Sequence, residues 1–292
     1  MISIIICSRD TAALAAVSHN VAVTIGVPYE LIAIDNSQGQ YGICEAYNKG
    51  AAQACYDLLC FMHEDVAFHT PNWGAIVAEI LADKTVGVIG VAGSKYQLRV
   101  PSGWWAVYEH TRMQVIQTTA TYPRRLDVVN PLKEDLTDVA AVDGLWLCSR
   151  REVWQQYQFD EKTFPAFHFY DLDYCTQVFQ HLRVCVTYRV LIEHFSTGSI
   201  NNNWLLAALN YQHKWRQQLP FGTVEIPGLQ RRQIEQRVAA EFTNNVIQSD
   251  LSFSVALKAL LDLLANNSLN RENLGLVKRF LLKRIFLQNT SS

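Results

Sequence analysis

The chain has 292 residues, of which 49% are hydrophobic and 18% are charged, a balance typical of a packed globular protein. A chain of this length buries a large core, so it needs neither a disulfide nor a metal to fold. The net charge of −2 excludes the strongly basic surface that a nucleic-acid-binding protein needs, so we expect no nucleic-acid partner.

The sequence also carries signals about its compartment. The apolar start, residues 1–10, lacks the basic region and the cleavage site of a secretory signal. No apolar run reaches the roughly 18 residues that a membrane-spanning helix requires. The seven cysteines include no CxxC pair, and an odd number without a framework indicates a reducing environment. We therefore expect a cytoplasmic protein.

Strands and helices alternate over the first 91 residues. Short apolar runs predict buried strands, and Ala-rich or amphipathic segments between them predict helices. The predicted elements, in chain order, are a strand at 2–7, a helix at 11–25, a strand at 29–34, a helix at 43–55, a strand at 58–62, a helix at 72–82 and a strand at 86–91. This pattern is typical of an α/β fold with a mainly parallel sheet flanked by helices.

The remainder of the chain is less regular and ends in helices. The predictions here are an excursion over the sheet at 95–142, strands at 139–148 and 184–191, helices at 171–182 and 203–217, a linker at 220–228, and then helices broken near Asn244-Asn245 and Asn266-Asn267. We therefore predict one domain over residues 1–220 and a helical C-terminal extension over residues 221–292.

Polar clusters follow three predicted strands: Ser8-Arg9-Asp10, Asp35-Asn36-Ser37 and His63-Glu64-Asp65. Ligands of parallel sheets bind beyond the carboxyl ends of the strands, so the clusters predict a ligand site at one edge. Asp35 either contacts a nucleotide or closes its strand with an Asx-turn. The acidic pair Glu64-Asp65 either forms a solvated turn or holds a hard cation such as Mg²⁺ or Mn²⁺. No Gly-rich phosphate loop follows the first strand, which disfavours a dinucleotide fold.

Further candidates lie in the second half of the chain. Asp171 opens a helix, so it either caps that helix or acts as a general base whose carboxylate the helix N-terminus keeps ionised at neutral pH. His194 follows a strand and is either a metal ligand or an ordinary surface or core histidine. Trp104, Trp105 and Trp146 either stack on a sugar ring or belong to the core, and for Trp146 we favour the core.

In order and spacing, these segments resemble the GT-A fold of family-2-like glycosyltransferases over roughly residues 1–215. Ser8-Arg9 resembles the family's donor-binding entry, Asp35 its strand-two aspartate, and the segment Glu45–Gly50 its A-x-N-x-G helix. His63-Glu64-Asp65 occupies the place of the DxD motif, from whose first aspartate His63 departs. The resemblance implies donor-binding roles for Ser8, Arg9, Asp35, Asn48 and Glu64, and metal ligation by Asp65 and His194. It implies catalytic roles for Asp171, as the base, and Asp173, as a positioning group, and acceptor binding by Asp143 and Gly144. If Trp104 and Trp105 stack on a sugar ring, we expect them to bind the acceptor as well.

The resemblance also implies an activity. An inverting enzyme of this kind, dependent on Mn²⁺ or Mg²⁺, moves a sugar from a nucleotide-diphosphate sugar to a hydroxyl of a carbohydrate or lipid-linked acceptor, as in polysaccharide biosynthesis. Two alternatives stay open. A sugar nucleotidyltransferase usually has a Gly-rich loop after its first strand, and residues 8–12 contain no glycine. A degenerate GT-A module that binds glycan or protein partners without catalysis is kept open by His63.

The C-terminal helices have two interpretations. They either pack on the domain or form a homodimer, or the basic amphipathic stripe from Lys278 to Arg284 rests on an anionic membrane. The second interpretation places the protein at the inner face of the membrane, near a lipid-linked acceptor.

Overall fold

The computed structural model describes residues 1–119, 123–196, 198–266 and 271–289. The strands are β1 (Ile2–Ser8), β2 (Tyr29–Asp35), β3 (Leu58–Met62), β4 (Val66–Phe68), β5 (Val86–Gly90), β6 (Ala92–Ser94), β7 (Tyr96–Gln97), β8 (Thr111–Gln117), β9 (Arg125–Val129), β10 (Leu136–Val139), β11 (Ala141–Val142), β12 (Trp146–Arg150), β13 (Arg183–Thr187), β14 (Ile192–His194) and β15 (Phe221–Gly222). The α-helices are α1 (Thr11–Thr24), α2 (Ile43–Gln53), α3 (Trp73–Ala82), α4 (Arg151–Gln156), α5 (Tyr170–Phe179), α6 (Asn202–Lys214), α7 (Gly228–Gln248), α8 (Phe253–Asn266) and α9 (Arg271–Asn289). Short 3₁₀ helices cover Trp104–Ala106 and Tyr108–His110. The predicted alternation of strands and helices is confirmed.

The main sheet has seven strands in the order β10-β13-β5-β12-β3-β1-β2. Five of them run in one direction, so the prediction of a mainly parallel sheet is confirmed. The other two, β10 and β12, run antiparallel to their neighbours. Because β12 lies between β3 and β5 in the opposite direction, the turn before it enters at the carboxyl edge of the parallel strands. This arrangement places Asp143 and Gly144 at that edge.

The predicted excursion forms part of a second sheet, in the order β11-β6-β8-β14-β4, with β9 paired to β8. The strand predicted at 184–191 is shorter than expected, because β13 ends at Thr187 in the main sheet and the next strand, β14, begins at Ile192 in the second sheet. β4 and β14 pair antiparallel, with Val66 opposite His194, and the N–H of Phe195 donates to the carbonyl of Asp65 at 3.0 Å. The second sheet therefore brings His194 beside Asp65, about 130 positions earlier in the chain.

The two faces of the main sheet carry different helices. Successive side chains of a strand point to opposite faces, and in β1 Ile5 belongs to one core cluster while Ile4 and Ile6 belong to another. Buried residues of α2 and α5 join the cluster of Ile5, and those of α1 and α3 join the other. The predicted flanking of the sheet by helices is thus confirmed.

In its described part, the segment after residue 227 forms three helices, α7 to α9, and most of their buried apolar residues join the same core cluster as α5 and α6. Val238 of α7 belongs to a smaller cluster with Tyr96. α7 continues through the turn at Asn244-Asn245 to Gln248, and the predicted break lies just after it, before α8 begins at Phe253. Burial of Val246 and Ile247 holds that turn in the helix. α8 ends at Asn266 as predicted, whereas Asn267 lies outside the described residues. Among the described residues, no helix is both long and apolar enough to cross a bilayer.

Candidate active site

Glu64 connects the carboxyl ends of β1 and β3. Its carboxylate accepts a hydrogen bond from the hydroxyl of Ser8 at 2.7 Å and from the backbone N–H groups of Arg9 and Asp10 at 3.0 and 3.1 Å. Asp10 in turn caps α1 by accepting from the N–H groups of its first turn. Of the predicted donor-binding residues, the structure therefore brings Ser8, Arg9 and Glu64 together, with Glu64 fixing the loop after β1.

Asp35 lies at the end of β2, the neighbour of β1. One of its carboxylate oxygens accepts the N–H of Ser37 at 2.9 Å, so the Asx-turn considered from the sequence is present. This hydrogen bond lowers the pKa of Asp35, and its carboxylate is exposed to solvent. The buried Asn36 closes the following loop with two hydrogen bonds to the backbone of Tyr41. The Asx-turn therefore leaves Asp35 as an exposed anionic group at the carboxyl edge of the parallel strands.

The side-chain amide of Asn48, in α2, forms hydrogen bonds with residues 154–161. Its oxygen accepts hydrogen bonds from the indole of Trp154 and the N–H of Phe159. Its nitrogen donates to the carbonyl of Phe159 and to Glu161. These four bonds tie α2 to the segment after α4, so the structure gives Asn48 a packing role, and its donor-binding role stays a prediction.

Three side chains that suit a metal ion meet beyond the ends of β3 and β14. The Nδ1 of His63, an oxygen of Asp65 and the Nε2 of His194 all lie within 4.8 Å of one another. The Asp65 Oδ1 is 3.8 Å from the imidazole nitrogen of His63 and 3.7 Å from that of His194. This oxygen is buried and has no hydrogen-bond partner among the residues that the structure describes, although buried polar atoms are normally paired. The structure thus brings the two predicted ligands together and adds His63, which sequence reasoning left open.

Tyr170 orients the ring of His63. The Tyr170 hydroxyl lies 2.8 Å from the Nε2 of His63 and donates to the carbonyl of Gly144 at 3.0 Å. A phenol has one hydrogen to donate, so His63 carries its proton on Nε2 and presents the lone pair of Nδ1 to Asp65. Burial lowers the pKa of His63, which favours the neutral imidazole that binds metals. Fixing the ring through its second nitrogen is the usual support for a metal-ligating histidine.

Gly144 permits this arrangement. A Cβ at this position would lie 2.0 Å from the Tyr170 hydroxyl, so any side chain there would displace the group that holds His63. The N–H of Gly144 donates to the carboxylate of Asp171 at 2.9 Å. Gly144 therefore contacts both the support of the candidate metal site and the candidate base.

Asp171 is buried at the start of α5. Burial, together with the charge of Asp143, raises the pKa of Asp171 to about 7. The prediction that the helix N-terminus keeps this carboxylate fully ionised is therefore wrong, because desolvation of the charged form outweighs its hydrogen bonds to backbone N–H groups. A carboxylate with a pKa near 7 accepts a proton more readily than an ordinary aspartate, which suits a general base.

Asp173 belongs to a different network. Its carboxylate meets the Lys214 ammonium at 2.7 Å and accepts from the indole of Trp215 at 2.8 Å, and Lys214 also pairs with Asp160. The side chain is only 1% exposed. These contacts fasten α6 to α5, and the predicted catalytic role of Asp173 stays a prediction.

The three candidate tryptophans differ in their surroundings. The indole N–H of Trp104 donates to Asp143 at 2.8 Å, and Trp105, which is exposed, lies edge-on to Trp104 with the ring centroids 5.9 Å apart. The expectation that Trp146 belongs to the core is confirmed, since it is fully buried. The hydrogen bonds from Trp104 to Asp143 and from Gly144 to Asp171 therefore meet at two consecutive residues on the predicted acceptor side.

Sequence reasoning missed two aromatic residues that lie beside the three candidate metal ligands. Tyr170 is the support described above, and the half-exposed Phe167 lies with its ring centroid 5.2 Å from that of His63. The only signal in the sequence was that both lie close to Asp171. Their contacts with His63 join residues more than 100 positions apart and could not be read from the sequence.

A family model described as a glycosyltransferase-like family matches residues 3–218. The chain belongs to this family. The match covers the part of the chain that carries all the candidate site residues, so the family resemblance predicted from the sequence is confirmed. A search of curated proteins gives no match.

The chain is also similar to solved structures. Staphylococcus aureus TarS, residues 1–349 with UDP-GlcNAc, aligns with a TM-score of 0.43 and 9% identity over 91% of this chain and 72% of that one. GalNAc-T7, solved with UDP, GalNAc and Mn²⁺, aligns with a TM-score of 0.53 and 13% identity over 90% of this chain. The chain spans about half of the GalNAc-T7 chain, 54%. The likeness to GalNAc-T7 confirms the predicted GT-A fold.

Proposed function

We propose that this glycosyltransferase moves a sugar from a nucleotide-diphosphate sugar to a hydroxyl of a carbohydrate or lipid-linked acceptor, with inversion and with the help of a divalent metal. One observation carries the proposal. Within the described part of the chain, a buried carboxylate oxygen of Asp65 lacks a hydrogen-bond partner and faces two imidazole nitrogens, those of His63 and His194. Such an oxygen is costly without a cation.

The residues present fit a divalent metal. His63, Asp65 and His194 would hold it, and this mixture of two nitrogens and one oxygen suits a transition metal such as Mn²⁺ better than Mg²⁺, which prefers oxygen ligands. GalNAc-T7, which shares the fold, was solved with Mn²⁺. When bound, the metal supplies positive charge that stabilises the nucleoside diphosphate as it leaves.

Asp171 would act as the base. Its carboxylate would take the proton of the acceptor hydroxyl while the hydroxyl oxygen bonds to the anomeric carbon and the bond to the diphosphate breaks. A single displacement of this kind inverts the anomeric configuration. Asp143 supports the role, because its negative charge helps to raise the pKa of Asp171 and so increases its affinity for the proton.

The remaining residues would bind the two substrates. Ser8, Arg9 and Asp35 lie at the ends of the adjacent strands β1 and β2, where they would hold the nucleoside and its phosphates. Trp104 and Trp105 would bind the acceptor beside Asp143 and Gly144, because aromatic rings offer flat apolar faces to a sugar ring. The buried Asp173 would support α5.

Metal dependence is tested by titrating a panel of nucleoside diphosphates into the protein with and without Mn²⁺, using calorimetry. The wild type should bind one of them much more tightly with Mn²⁺, and Asp65→Asn should lose that gain. Asp57→Asn is the matched control, because Asp57 is exposed just before β3, at the opposite end of the strand. Equal affinities with and without Mn²⁺ in the wild type would contradict the metal proposal.

The base and the stereochemistry need a second experiment. The panel is repeated with nucleotide sugars, and NMR follows the anomeric proton of the sugar released to water. A donor with an α-linked sugar should first give the β-sugar. Asp171→Asn should keep Mn²⁺-dependent donor binding and lose turnover. A first product with retained configuration, or turnover near the wild-type rate in Asp171→Asn, would rule out the mechanism.

A further inference from the structure

The last described helix has two apolar faces. One packs on the protein through Leu276 and Phe280, which are buried. On the other side Leu274, Leu281 and Leu282 are 55%, 52% and 43% exposed. At about 100° per residue these three leucines lie within an arc of roughly 100°. Leucines on one exposed side of a helix form an apolar strip whose exposure in water is unfavourable.

Basic residues accompany this strip. Lys278 lies within the same arc, and both it and the neighbouring Arg279 are exposed. Lys283 donates to the carbonyl of Ser249, which ties it to the loop before α8. The sequence of α9 contains five basic residues and one acidic residue, a formal net charge of +4 in a protein whose total is −2.

The distribution of charge along the chain also favours contact of α9 with an anionic surface. Residues 1–220 contain 16 basic and 21 acidic residues, a net of −5, whereas residues 221–292 contain 9 and 6, a net of +3. An anionic surface would attract α9 and repel residues 1–220. It would therefore orient the protein with α9 towards that surface. A symmetric contact between two α9 helices would instead bring Lys278 and Arg279 close to their own copies, which is unfavourable.

We propose that the exposed face of α9, consisting of Leu274, Lys278, Arg279, Leu281 and Leu282, binds the surface of an anionic lipid bilayer. The leucines enter the boundary between headgroups and acyl chains, and the two basic side chains contact the lipid phosphates. The helix lies in the plane of the surface and does not span the bilayer. This inference stands independently of the proposed sugar transfer.

Co-sedimentation of the full chain with vesicles tests the proposal. The protein should pellet with vesicles of phosphatidylcholine and phosphatidylglycerol and stay in the supernatant with phosphatidylcholine alone. The double variant Lys278→Glu with Arg279→Glu should weaken partitioning roughly tenfold or more, since each basic residue near the surface contributes to binding. Leu281→Ser with Leu282→Ser should weaken it by a similar factor, because burial of the leucines is lost.

The control substitutions lie within residues 1–220, away from α9. Leu126→Ser removes a leucine of β9 that is 55% exposed, the same fraction as Leu274, and Lys162→Glu reverses an exposed charge there. Both should partition like the wild type. Circular dichroism and nucleoside diphosphate binding show whether each variant is folded. A wild type that ignores anionic vesicles would overturn the proposal, as would folded α9 variants that bind like the wild type. A dimer that dissociates in the leucine variant without any vesicle binding would also overturn it, in favour of a second copy.

Discussion

Replacing Asp171 with asparagine should stabilise the metal-free protein, and the gain should grow with pH. In the folded protein the pKa of Asp171 is raised from 3.8 to about 7 by burial and by Asp143. The folded state therefore prefers the protonated carboxyl, and ionisation destabilises it. For a raised acid pKa, stability falls as the pH rises from about 4 to about 7 and is constant above that range. A shift of about three units corresponds to about 4 kcal/mol.

The asparagine avoids the cost of ionising a buried carboxyl. It also keeps a side-chain oxygen that can accept the hydrogen bond from the N–H of Gly144, as Asp171 does. Urea denaturation in EDTA should therefore show Asp171→Asn more stable than the wild type by about 2 kcal/mol at pH 5 and about 4 kcal/mol at pH 8. Asp57→Asn, a change of an exposed carboxylate, should show no comparable increase between the two pH values. If the stability difference between Asp171→Asn and the wild type is the same at both, the carboxyl is not held protonated by burial.

Three further changes test the supports of the site. Tyr170→Phe removes the hydroxyl that fixes His63, so Mn²⁺ affinity measured by calorimetry should fall by roughly 10–100-fold; unchanged affinity would show that Tyr170 does not orient the ring. Gly144→Ala should destabilise the protein by about 1–3 kcal/mol in urea denaturation, because its Cβ meets the Tyr170 hydroxyl at 2.0 Å, and wild-type stability would refute that clash. Glu64→Ala frees the hydroxyl of Ser8 and two backbone N–H groups, so nucleoside diphosphate affinity should fall, and full affinity would mean that the donor does not use this loop.

Much of the fold could be predicted because its signals are local. The apolar runs that became β1, β2, β3 and β5 are buried strands in a regular alternation with helices, and polar residues at their ends mark the ligand edge. The direction of β12 is not a local property. Its apolar sequence suits a parallel or an antiparallel neighbour equally well, and only the path of residues 95–142 over the second sheet decides between them.

The site was predictable in its residues more than in their roles. Asp65 and His194 could be named from strand ends, but the importance of His63 depends on Tyr170, far away in the sequence. The pKa of Asp171 was misjudged because a helix N-terminus is visible in the sequence, whereas burial and the nearby charge of Asp143 are tertiary effects. Asn48 likewise matched a motif, while its hydrogen bonds to residues 154–161 exist only in the folded chain.

The antiparallel strand β12 also constrains how the chain reaches this fold. During synthesis β3 and β5 leave the ribosome well before β12, yet each pairs with β12 and they do not pair with each other. Until residue 150 has emerged, β3 lacks a partner on one edge and β5 lacks partners on both, and such open edges are prone to wrong pairing. The sheet therefore closes late and through distant contacts, which slows folding. A cut between β5 and β12 would leave β3-β1-β2 paired in the N-terminal fragment but β5 without a partner there, and it would separate β12 from both of its neighbours, so neither fragment keeps the centre of the sheet.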